Sequence, residues 1–354
     1  KLYGVQFHPE VIHTVHGAQI LKNFVFGICH AKKDFSLEGL SGRLIAEVKS
    51  TVGASSVIMG TSGGVDSTVA ATLIHAAIGE RLHCVFIDTG LIRKFESQEV
   101  KEFFQRLRFH HFHMVDASKL FLSRLKGIAD PEQKRKIIAH AYIKVFEQKA
   151  KELEKEFLDI RFLGQGTIYP DRIESAQPTS RASKIKSHHN VTLPEKMKLK
   201  VLEPLKDLYK DDVRKLGRDL GIPQDMISRH PFPGPGLAIR ILGDITKEKI
   251  NILKEADAIF IEELKKSGYY HKVWQALAAL LSVRAVGVMG DARSYDYIIA
   301  LRAVTSVDAM TADWARLPPE LLERISNRIV NEVRGVNRVV YDVTQKPPAT
   351  IEYE

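Results

Sequence analysis

One stretch of the sequence decides the fold: Ser56-Val57-Ile58-Met59-Gly60-Thr61-Ser62-Gly63-Gly64-Val65-Asp66-Ser67-Thr68. Residues 56–61 form an apolar run of strand length, and residues 66–79 carry apolar side chains at helical spacing. The second run ends at Gly79, a favourable residue after a helix, which predicts that the helix stops there. A buried strand that turns through two glycines directly into a helix is typical of a parallel α/β sheet.

The turn between this strand and this helix has the chemistry of a phosphate-binding loop. Its glycines allow the backbone to approach an anion closely. The first turn of the helix offers unpaired N–H groups and the positive end of the helix dipole, and nearby hydroxyl groups add donors. The predicted ATP-binding residues are Ser62, Gly63, Gly64, Val65, Asp66, Ser67 and Thr68.

Asp66 is the unusual residue of this loop, because a carboxylate repels phosphate. Its presence is explained if Mg²⁺ bridges the carboxylate to phosphate oxygens, which makes Asp66 a predicted metal ligand and catalytic residue. The alternative is a tight turn in which an aspartate caps the helix. The loop lacks the Gly-Lys-Ser/Thr of a Walker A motif, which disfavours γ-phosphate transfer. We expect a grip on the β,γ-pyrophosphate of ATP, with chemistry at the α-phosphate that yields AMP and pyrophosphate.

The neighbouring segments continue the alternation of strand and helix. Further strands are predicted at residues 83–88, 111–115 and 160–164, and helices at residues 42–50, 96–107 and 131–157. This order predicts an α/β fold with a doubly wound parallel sheet.

The character of the sequence changes after Pro204. A helix is predicted at residues 211–220, and residues 230–236, His-Pro-Phe-Pro-Gly-Pro-Gly, contain too much proline and glycine for a regular element. Beyond them we predict a smaller α+β domain, with helices at residues 247–266 and 319–334 and strands at residues 283–290, 297–304 and 338–343. The predicted domains are residues 1–34, 35–229 and 230–354.

Length and composition are those of a globular protein with two or three domains. The 354 residues are 44% hydrophobic, and no apolar run approaches the roughly 20 residues of a membrane helix, so we expect no membrane partner. Two cysteines form neither a disulfide framework nor a CxxC pair, which fits a cytoplasmic protein. The net charge of +9 suits polyphosphate handling or a basic surface without a ligand. Because no basic run is interleaved with aromatic residues, we expect no nucleic-acid partner.

Motifs spread over the chain carry a resemblance to a known family. They are Phe86–Arg93, Gly164–Asp171, Ile173–Ser175, Ile185–Asn190, Arg229–Leu237, Val286–Asp291 and Lys346–Glu352, together with the loop at residues 62–67. The chain resembles the ATP pyrophosphatase superfamily, and within it closely the GMP synthetase family, over essentially its whole length. The resemblance implies an adenine nucleotide alpha-hydrolase-like sheet followed by a dimerisation domain, and hence a homodimer formed through residues 230–354.

The resemblance also implies a reaction that uses ATP, Mg²⁺, XMP and ammonia. The 2-oxygen of XMP attacks the α-phosphate of ATP, pyrophosphate leaves, and ammonia then displaces AMP to give GMP. Asp171 is a second implied Mg²⁺ ligand, with a loop or helix-cap role as the alternative. Lys186 resembles a catalytic lysine on a mobile lid at residues 180–194, with a solvated basic loop as the alternative. The family usually has Gly-Gly near Thr192, where this chain is shorter.

The resemblance implies an XMP site made from two segments. Its residues are Arg229, Pro235, Gly236, Lys346, Thr350, Ile351 and Glu352. Lys346 can meet a phosphate, and Glu352 can accept hydrogen bonds from purine N–H groups or ribose hydroxyls. The alternative for the tail segment is a frayed C-terminus.

The first residues indicate a source of ammonia. We predict a strand before His8, a turn at residues 8–10 and a helix at residues 17–28. The motif Gly4–Glu10 resembles the end of a class I glutamine amidotransferase domain, in which histidine accepts the proton of a cysteine thiol and glutamate orients the imidazole. His8 and Glu10 are therefore implied catalytic residues, whereas Cys29 lacks a nucleophile elbow. We expect that a longer protein uses glutamine and that this chain by itself uses ammonia. The alternative is that His8 and Glu10 form an ordinary turn with no catalytic role.

Two other functions remain open at this point. NAD synthetase and tRNA-thiolating enzymes share the loop, although the latter would need a pair of catalytic cysteines. A non-enzymatic nucleotide-binding or dimerisation module is disfavoured, because the phosphate loop and the tail motif are both intact.

Overall fold

A computed structural model describes residues 2–10, 14–34, 37–175, 199–306 and 309–354. The helices of its first part are α1 Gly17–Lys22, α2 Leu40–Val52, α3 Val65–Ile78, α4 Glu96–Arg106, α5 Ser118–Leu125, α6 Pro131–Glu156, α7 Tyr169–Ser175, α8 Lys210–Asp219 and α9 Gln224–Ile227. The strands are β1 Ser56–Gly60, β2 Leu82–Asp88, β3 Phe112–Asp116, β4 Ile160–Gly164 and β5 Lys200–Leu202.

The first sheet has the strand order β3-β2-β1-β4-β5, and every neighbouring pair is parallel. Alternate residues of β1 face opposite layers: Val57 and Met59 pack in a core with α3, and Ile58 packs in a second core with α6. Burial on both faces explains why β1 reads as a continuous apolar run. The predicted doubly wound α/β fold is confirmed.

The second part contains a mixed sheet. Its strands are β6 Ile241–Leu242, β7 Gln275–Met289, β8 Ala292–Thr305, β9 Asp313–Trp314 and β10 Val336–Tyr341, and its helices are α10 Lys247–Lys266 and α11 Pro319–Glu332. The order is β10-β8-β7-β6, with β9 beside β8. β7 and β8 form an antiparallel hairpin, whereas β6 and β10 join its two sides in parallel. The predicted smaller α+β unit is confirmed.

The two sheets share one hydrophobic core. Ile58 and Val85 of the first sheet belong to the same buried cluster as Leu253 and Phe260 of α10. The fully buried Lys134 of α6 donates to the carbonyl of Ile241, 2.6 Å away, and to the carboxylate of Glu354. These contacts fix the second sheet against the helix layer of the first, while the predicted domain boundaries remain predictions.

Several sequence predictions differ from the structure. The helix predicted at residues 17–28 is an α-helix only over Gly17–Lys22 and continues as a π-helix over Asn23–Ile28. No strand forms in residues 2–10, because this segment has no neighbouring strand and Leu2 and Tyr3 are exposed. Helix α5 was missed because it is short, with two turns that bury only Phe121 and Leu125. The hairpin β7–β8 is longer than predicted. The missed first part of β7, residues 275–282, is mostly buried but rich in alanine, which has a low strand propensity, and the missed first residues of β8, 292–296, are mostly exposed. No helix within the described residues is long and apolar enough to cross a membrane.

Candidate active site

The phosphate loop lies between β1 and α3, outside the carboxyl end of β1. The sheet order reverses between β1 and β4, which is where doubly wound sheets bind ligands. Gly63 adopts a left-handed conformation with φ +75°, and a Cβ there would lie 2.6 Å from Val100 Cγ2. Gly166, in the loop after β4, comes so close that a Cβ would lie 3.0 Å from the Ser67 nitrogen. Glycine is therefore required on both sides of the loop.

The start of α3 is left without a side-chain cap. Gly64 is the N-cap residue in an extended conformation, and no side chain accepts from the first turn. The Ser67 hydroxyl donates to the Gly64 carbonyl at 3.0 Å and lies 3.1 Å from the Ser62 hydroxyl. The Thr68 hydroxyl is buried without a hydrogen-bond partner among the described residues. This helix start therefore offers unused donors to an anion.

Asp66 does not cap the helix, so that alternative is wrong. It is the second residue of α3, and both of its carboxylate oxygens accept from Lys210 Nζ at 2.7 Å. Lys210 begins α8, and the two side chains are 28% and 38% exposed. The carboxylate thus already holds a cation beside the phosphate loop. Carboxylate oxygens are also the ligands that Mg²⁺ prefers, so Asp66 fits a metal as well as an ammonium group.

Asp171 takes the helix-cap role that was left open. Its Oδ2 accepts from the backbone N–H of Ile168 at 3.0 Å, which satisfies the donor that precedes α7. The neighbouring Thr167 donates its hydroxyl to Glu203 at 2.6 Å. A metal role for Asp171 remains a prediction. Lys186 lies outside the described residues.

Arg229 reaches the phosphate loop from the other side. Its guanidinium donates to Glu99 of α4 at 2.6 Å and to the carbonyl of Gly63 at 3.4 Å. Arg229 also lines a cleft of about 530 Å³. Other residues of this cleft are Arg214, Arg218, His230, Tyr270, Lys272 and Trp274. The cleft is positively charged and lies beside the loop.

The Pro-Gly-Pro-Gly segment packs against the loop that follows β2. Gly236 has φ +64°, and a Cβ there would lie 2.3 Å from the carbonyl oxygen of Leu91. The next N–H, that of Leu237, donates to the same oxygen at 2.7 Å. Pro235 precedes this contact and is the N-cap residue of a short 3₁₀ helix. Only glycine permits this approach of the two parts of the chain.

Glu352 is held by a fully buried arginine. Arg240 donates to its two carboxylate oxygens at 2.9 and 2.8 Å, and Gln275 donates to one of them at 2.6 Å. Asp257 lies 3.7 Å from Arg240 and 3.1 Å from Arg93 Nε, although Arg93 Nε is not aligned for a hydrogen bond. The network connects the loop after β2, helix α10 and the C-terminal segment.

The rest of the tail is ordered, so the alternative of a frayed C-terminus is wrong. The buried Arg302 donates to the carbonyls of Thr344, Thr350 and Ile351 at 2.9–3.0 Å. The Ile351 side chain is buried beside Val304. Lys346 Nζ donates to the carbonyl of Ala309 at 2.7 Å.

His8 and Glu10 lie in contact, as the resemblance implies for a histidine and the glutamate that orients it. His8 Nδ1 lies 2.7 Å from Glu10 Oε1, and both side chains are exposed. Hydrogen bonds to its own backbone N–H and to His8 lower the pKa of Glu10. Cys29 is exposed in the segment after the dyad, and burial raises the pKa of the Cys84 thiol.

Three family models match the chain. One described as GMP synthase C terminal domain matches residues 262–353, one described as NAD synthase matches residues 40–144, and one described as Glutamine amidotransferase class-I matches residues 1–28. The GMP synthase (glutamine-hydrolyzing) of Carboxydothermus hydrogenoformans is 59% identical, over 100% of this chain and 69% of that protein. The chain belongs to the GMP synthase family. The protein of the same name from Aquifex aeolicus is 56% identical, over 100% of this chain and 68% of that protein.

Membership of the GMP synthase family makes the chain a carbon–nitrogen ligase and confirms the resemblance found in its motifs. Among solved structures, the NH3-dependent NAD synthetase from Campylobacter jejuni is 14% identical with a TM-score of 0.39, over 66% of this chain and 88% of that chain. That likeness is too weak to bear on function.

Sequence reasoning missed three cations of this GMP synthase family site: Lys210, Arg240 and Arg302. Lys210, at the start of α8, has the position of an ordinary surface cation. One signal was available for Arg240 and Arg302, because an unpaired charge would be costly in the apolar runs Leu237–Leu242 and Ile298–Val304. The partners of Lys210 and Arg240 are 144 and 112 residues away in the chain, so no local pattern reveals which residues pair with them.

Proposed function

We propose that the chain adenylates XMP with MgATP and aminates the adenylate with ammonia, giving GMP, AMP and pyrophosphate. The observation that carries the proposal is the uncapped start of α3 beside the Asp66–Lys210 pair. A leaving pyrophosphate needs hydrogen-bond donors and cations at this position. The loop has no Walker-type lysine to bind the γ-phosphate for its transfer.

In the first step, the 2-oxygen of XMP forms a bond to the α-phosphorus of ATP, and the bond from that phosphorus to the bridging oxygen breaks. The negative charge that develops on pyrophosphate is stabilised by N–H groups at the start of α3 and by the hydroxyls of Ser62, Ser67 and Thr68. Gly63, Gly64 and Val65 supply the backbone of this cradle. Lys210 and Arg229 add positive charge on either side.

Asp66 is the residue that would hold Mg²⁺, with Asp171 as a second candidate. When bound, Mg²⁺ neutralises phosphate oxygens and so makes the α-phosphorus a better electrophile. Lys210 neutralises the Asp66 carboxylate, and it is free to turn toward a phosphate when another cation takes its place. Lys186 lies outside the described residues, and its catalytic role remains a prediction from the resemblance.

In the second step, ammonia attacks C2 of the adenylate and AMP leaves with the oxygen that came from XMP. We propose that glutamine supplies the ammonia in the full-length protein, through a glutaminase unit that includes the His8–Glu10 dyad. Glu10 orients the imidazole of His8, which in such units accepts a thiol proton. Residues 1–34 would be the end of that unit, and residues 35–229 the ATP pyrophosphatase domain.

For XMP we propose the cleft beside the phosphate loop and the C-terminal tail. Arg229 and Lys346 match a phosphate, whereas Glu352 matches purine or ribose donors. Arg240 fixes the direction of the Glu352 carboxylate. Oε1 accepts from both Arg240 and Gln275, whereas Oε2 accepts only from Arg240 and keeps further acceptor capacity. The backbone of Pro235, Gly236, Thr350 and Ile351 completes the proposed set.

We propose that residues 230–354 pair two copies of the chain. Val286 and Tyr295 face each other across the β7–β8 hairpin and are 59% and 62% exposed, and Val288 is 74% exposed. An apolar strip of this kind on a projecting hairpin is costly in water and is typical of an interface.

The test supplies ATP, Mg²⁺ and ammonium to the chain, with and without XMP, and measures AMP and GMP. We expect AMP release to require XMP and to equal GMP formation. AMP release that is independent of XMP, or XMP-dependent AMP release without GMP, would contradict the proposal.

A further inference from the structure

Three histidines lie side by side at the amino-terminal edge of the first sheet, opposite the phosphate loop. His83 is the second residue of β2, His113 is the second residue of β3, and His111 directly precedes β3. Cys84 pairs with Phe112, and its N–H donates to the His111 carbonyl at 2.9 Å. The three imidazoles therefore leave the sheet on the same face. The ring of His83 lies 4.5 Å from that of His111 and 5.8 Å from that of His113.

The spacing of the ring nitrogens suits a metal ion. One nitrogen from each histidine can be chosen so that all three lie within 4.8 Å of one another. A point at the centre of such a triangle is at most about 2.8 Å from each nitrogen, and Zn²⁺–N bonds are about 2.0–2.1 Å long. An inward movement of less than about 1 Å would close the site. Because the rings lie within 25° of parallel, they must also tilt so that their lone pairs converge.

Two ring nitrogens of the cluster have no hydrogen-bond partner among the described residues. They are His83 Nδ1 and His113 Nε2, which are both buried, and the His83 side chain as a whole is buried. Unpaired buried nitrogens cost free energy, which a bound cation would recover. His111 and His113 are only half-buried, so an ion has a way in from solvent.

The surroundings of His83 and His113 favour the neutral imidazole, which is the form that binds metals. Burial lowers the pKa of His83 to about 4 and also lowers the pKa of His113, so both are neutral near pH 7. The charged groups that act on them are the carboxylates Asp159 and Glu156 and the ammonium of Lys149. Lys149 lies 3.3 Å from Glu152, which offsets its charge. The ring of Phe157 packs 4.3 Å from that of His83 and forms an apolar wall.

We propose that His83, His111 and His113 bind one borderline divalent transition-metal ion, of which Zn²⁺ is the best match, with water or a carboxylate as the fourth ligand. Three imidazoles with an oxygen ligand are a common tetrahedral set for this class of ion. The ion would fasten β2 to β3 at the edge remote from the phosphate loop. Its effect is therefore on stability and not on turnover.

The experiment titrates ZnCl₂ into metal-stripped protein at about pH 7.5, where neutral imidazoles compete with few protons. Excess Mg²⁺ occupies carboxylate sites such as Asp66. Calorimetry gives affinity and stoichiometry, thermal unfolding gives Tm, and the visible absorption of Co²⁺ reports tetrahedral coordination. We expect one equivalent of Zn²⁺ to bind and to raise Tm, with no change in the rate of GMP formation.

The variants are His111→Gln and His113→Gln, with His110→Gln as a matched control, since the His110 side chain is 60% exposed and adjacent to the cluster. Loss of a ligand should weaken Zn²⁺ binding by about 10-fold or more and abolish the Co²⁺ absorption, while the control behaves as wild type. If His113→Gln does not fold, His111→Gln decides, because its ring is half-exposed. Equal Zn²⁺ affinity in His111→Gln and His110→Gln, or no binding to the unmodified chain, would overturn the proposal.

Discussion

At the scale of single residues, the contact between Asp66 and Lys210 reconciles a carboxylate with an anion site. The ammonium sits 2.7 Å from both carboxylate oxygens, so the phosphate loop carries no net repulsion in the absence of ligand. Both side chains remain partly exposed, and pairs of this kind contribute only about 0–1 kcal/mol to stability. The pair is therefore better suited to function than to folding.

The substitution Asp66→Asn tests whether the Asp66–Lys210 pair serves function rather than folding. The substitution keeps the shape of the side chain but removes the charge that would hold Mg²⁺. We expect XMP-dependent AMP release to fall by about 100-fold or more, as for other lost contacts to developing charge. The free energy of unfolding should change by less than about 1 kcal/mol. Steady-state assays and urea unfolding measure the two quantities.

Asp219→Asn is the matched control, because Asp219 is an exposed aspartate at the end of α8. It should leave both quantities as in the unmodified chain. Full activity of Asp66→Asn would remove Asp66 from the metal role. A loss of activity that matches a large loss of stability would make the contact structural.

At the scale of elements, the segment from His230 to Arg240 joins the two sheets. His230 begins it, with its Nδ1 accepting from Ala276 N–H at 3.2 Å and its Nε2–H donating to the Tyr270 carbonyl at 2.8 Å. The imidazole stacks on the Tyr270 ring at 3.8 Å. These two hydrogen bonds require one neutral tautomer, since a proton on Nδ1 would face the N–H of Ala276.

This geometry predicts a dependence of stability on pH. Burial lowers the pKa of His230 to about 4, below the value of about 6.5 in an unfolded chain. The unfolded state therefore takes up a proton first as the pH falls. The stability from neutral His230 is fully present above about pH 6.5 and is lost between about pH 6.5 and 4, by about 2 kcal/mol from pH 7 to pH 5.

The measurement compares urea unfolding of His230→Gln and of the control His140→Gln at these two pH values. His140 is exposed on α6. Other buried histidines also titrate, so the informative quantity is the difference between the variants. We expect the loss of stability to be smaller in His230→Gln, and equal losses would contradict the proposed role of His230.

The elements differ in how well the sequence predicts them. Helices with apolar periodicity and clear ends, such as α10 at Lys247–Lys266, were predicted to the residue, and so was β4 at Ile160–Gly164. The N-terminal strand was predicted wrongly, because a strand pattern without a neighbour cannot form a ladder. Local pattern fixes an element only where burial repeats with the period of that element.

At the scale of the whole molecule, the sequence indicates the phosphate loop but not the long-range network around it. The glycines and hydroxyl residues of positions 62–68 are close together in the chain, so the sequence alone reveals the phosphate-binding motif. The network of charged residues beside the C-terminal tail comes from four separate segments, which contribute Arg93, Asp257, Arg240 and Glu352. Such a set depends on the packing of α10 against both sheets, which no single stretch of sequence encodes.

The exposed strip on the β7–β8 hairpin predicts the state of assembly. Replacing Val286 and Val288 by lysine should separate the proposed dimer, because two charges would be buried in the interface. Sedimentation velocity should report twice the 39.9 kDa chain mass for the unmodified chain and the single mass for the double variant. Leu158→Lys is the control, since Leu158 is 76% exposed in the first part. A monomeric unmodified chain would refute the proposed pairing.

The most direct test of the proposed chemistry follows one oxygen atom through the reaction. XMP labelled with ¹⁸O at its 2-oxygen is incubated with the chain, ATP, Mg²⁺ and ammonium, and the AMP is analysed by mass spectrometry. If the 2-oxygen attacks the α-phosphate and later leaves with AMP, each AMP carries one ¹⁸O and pyrophosphate carries none. Unlabelled AMP, formed together with GMP, would contradict the adenylation of XMP at the phosphate loop.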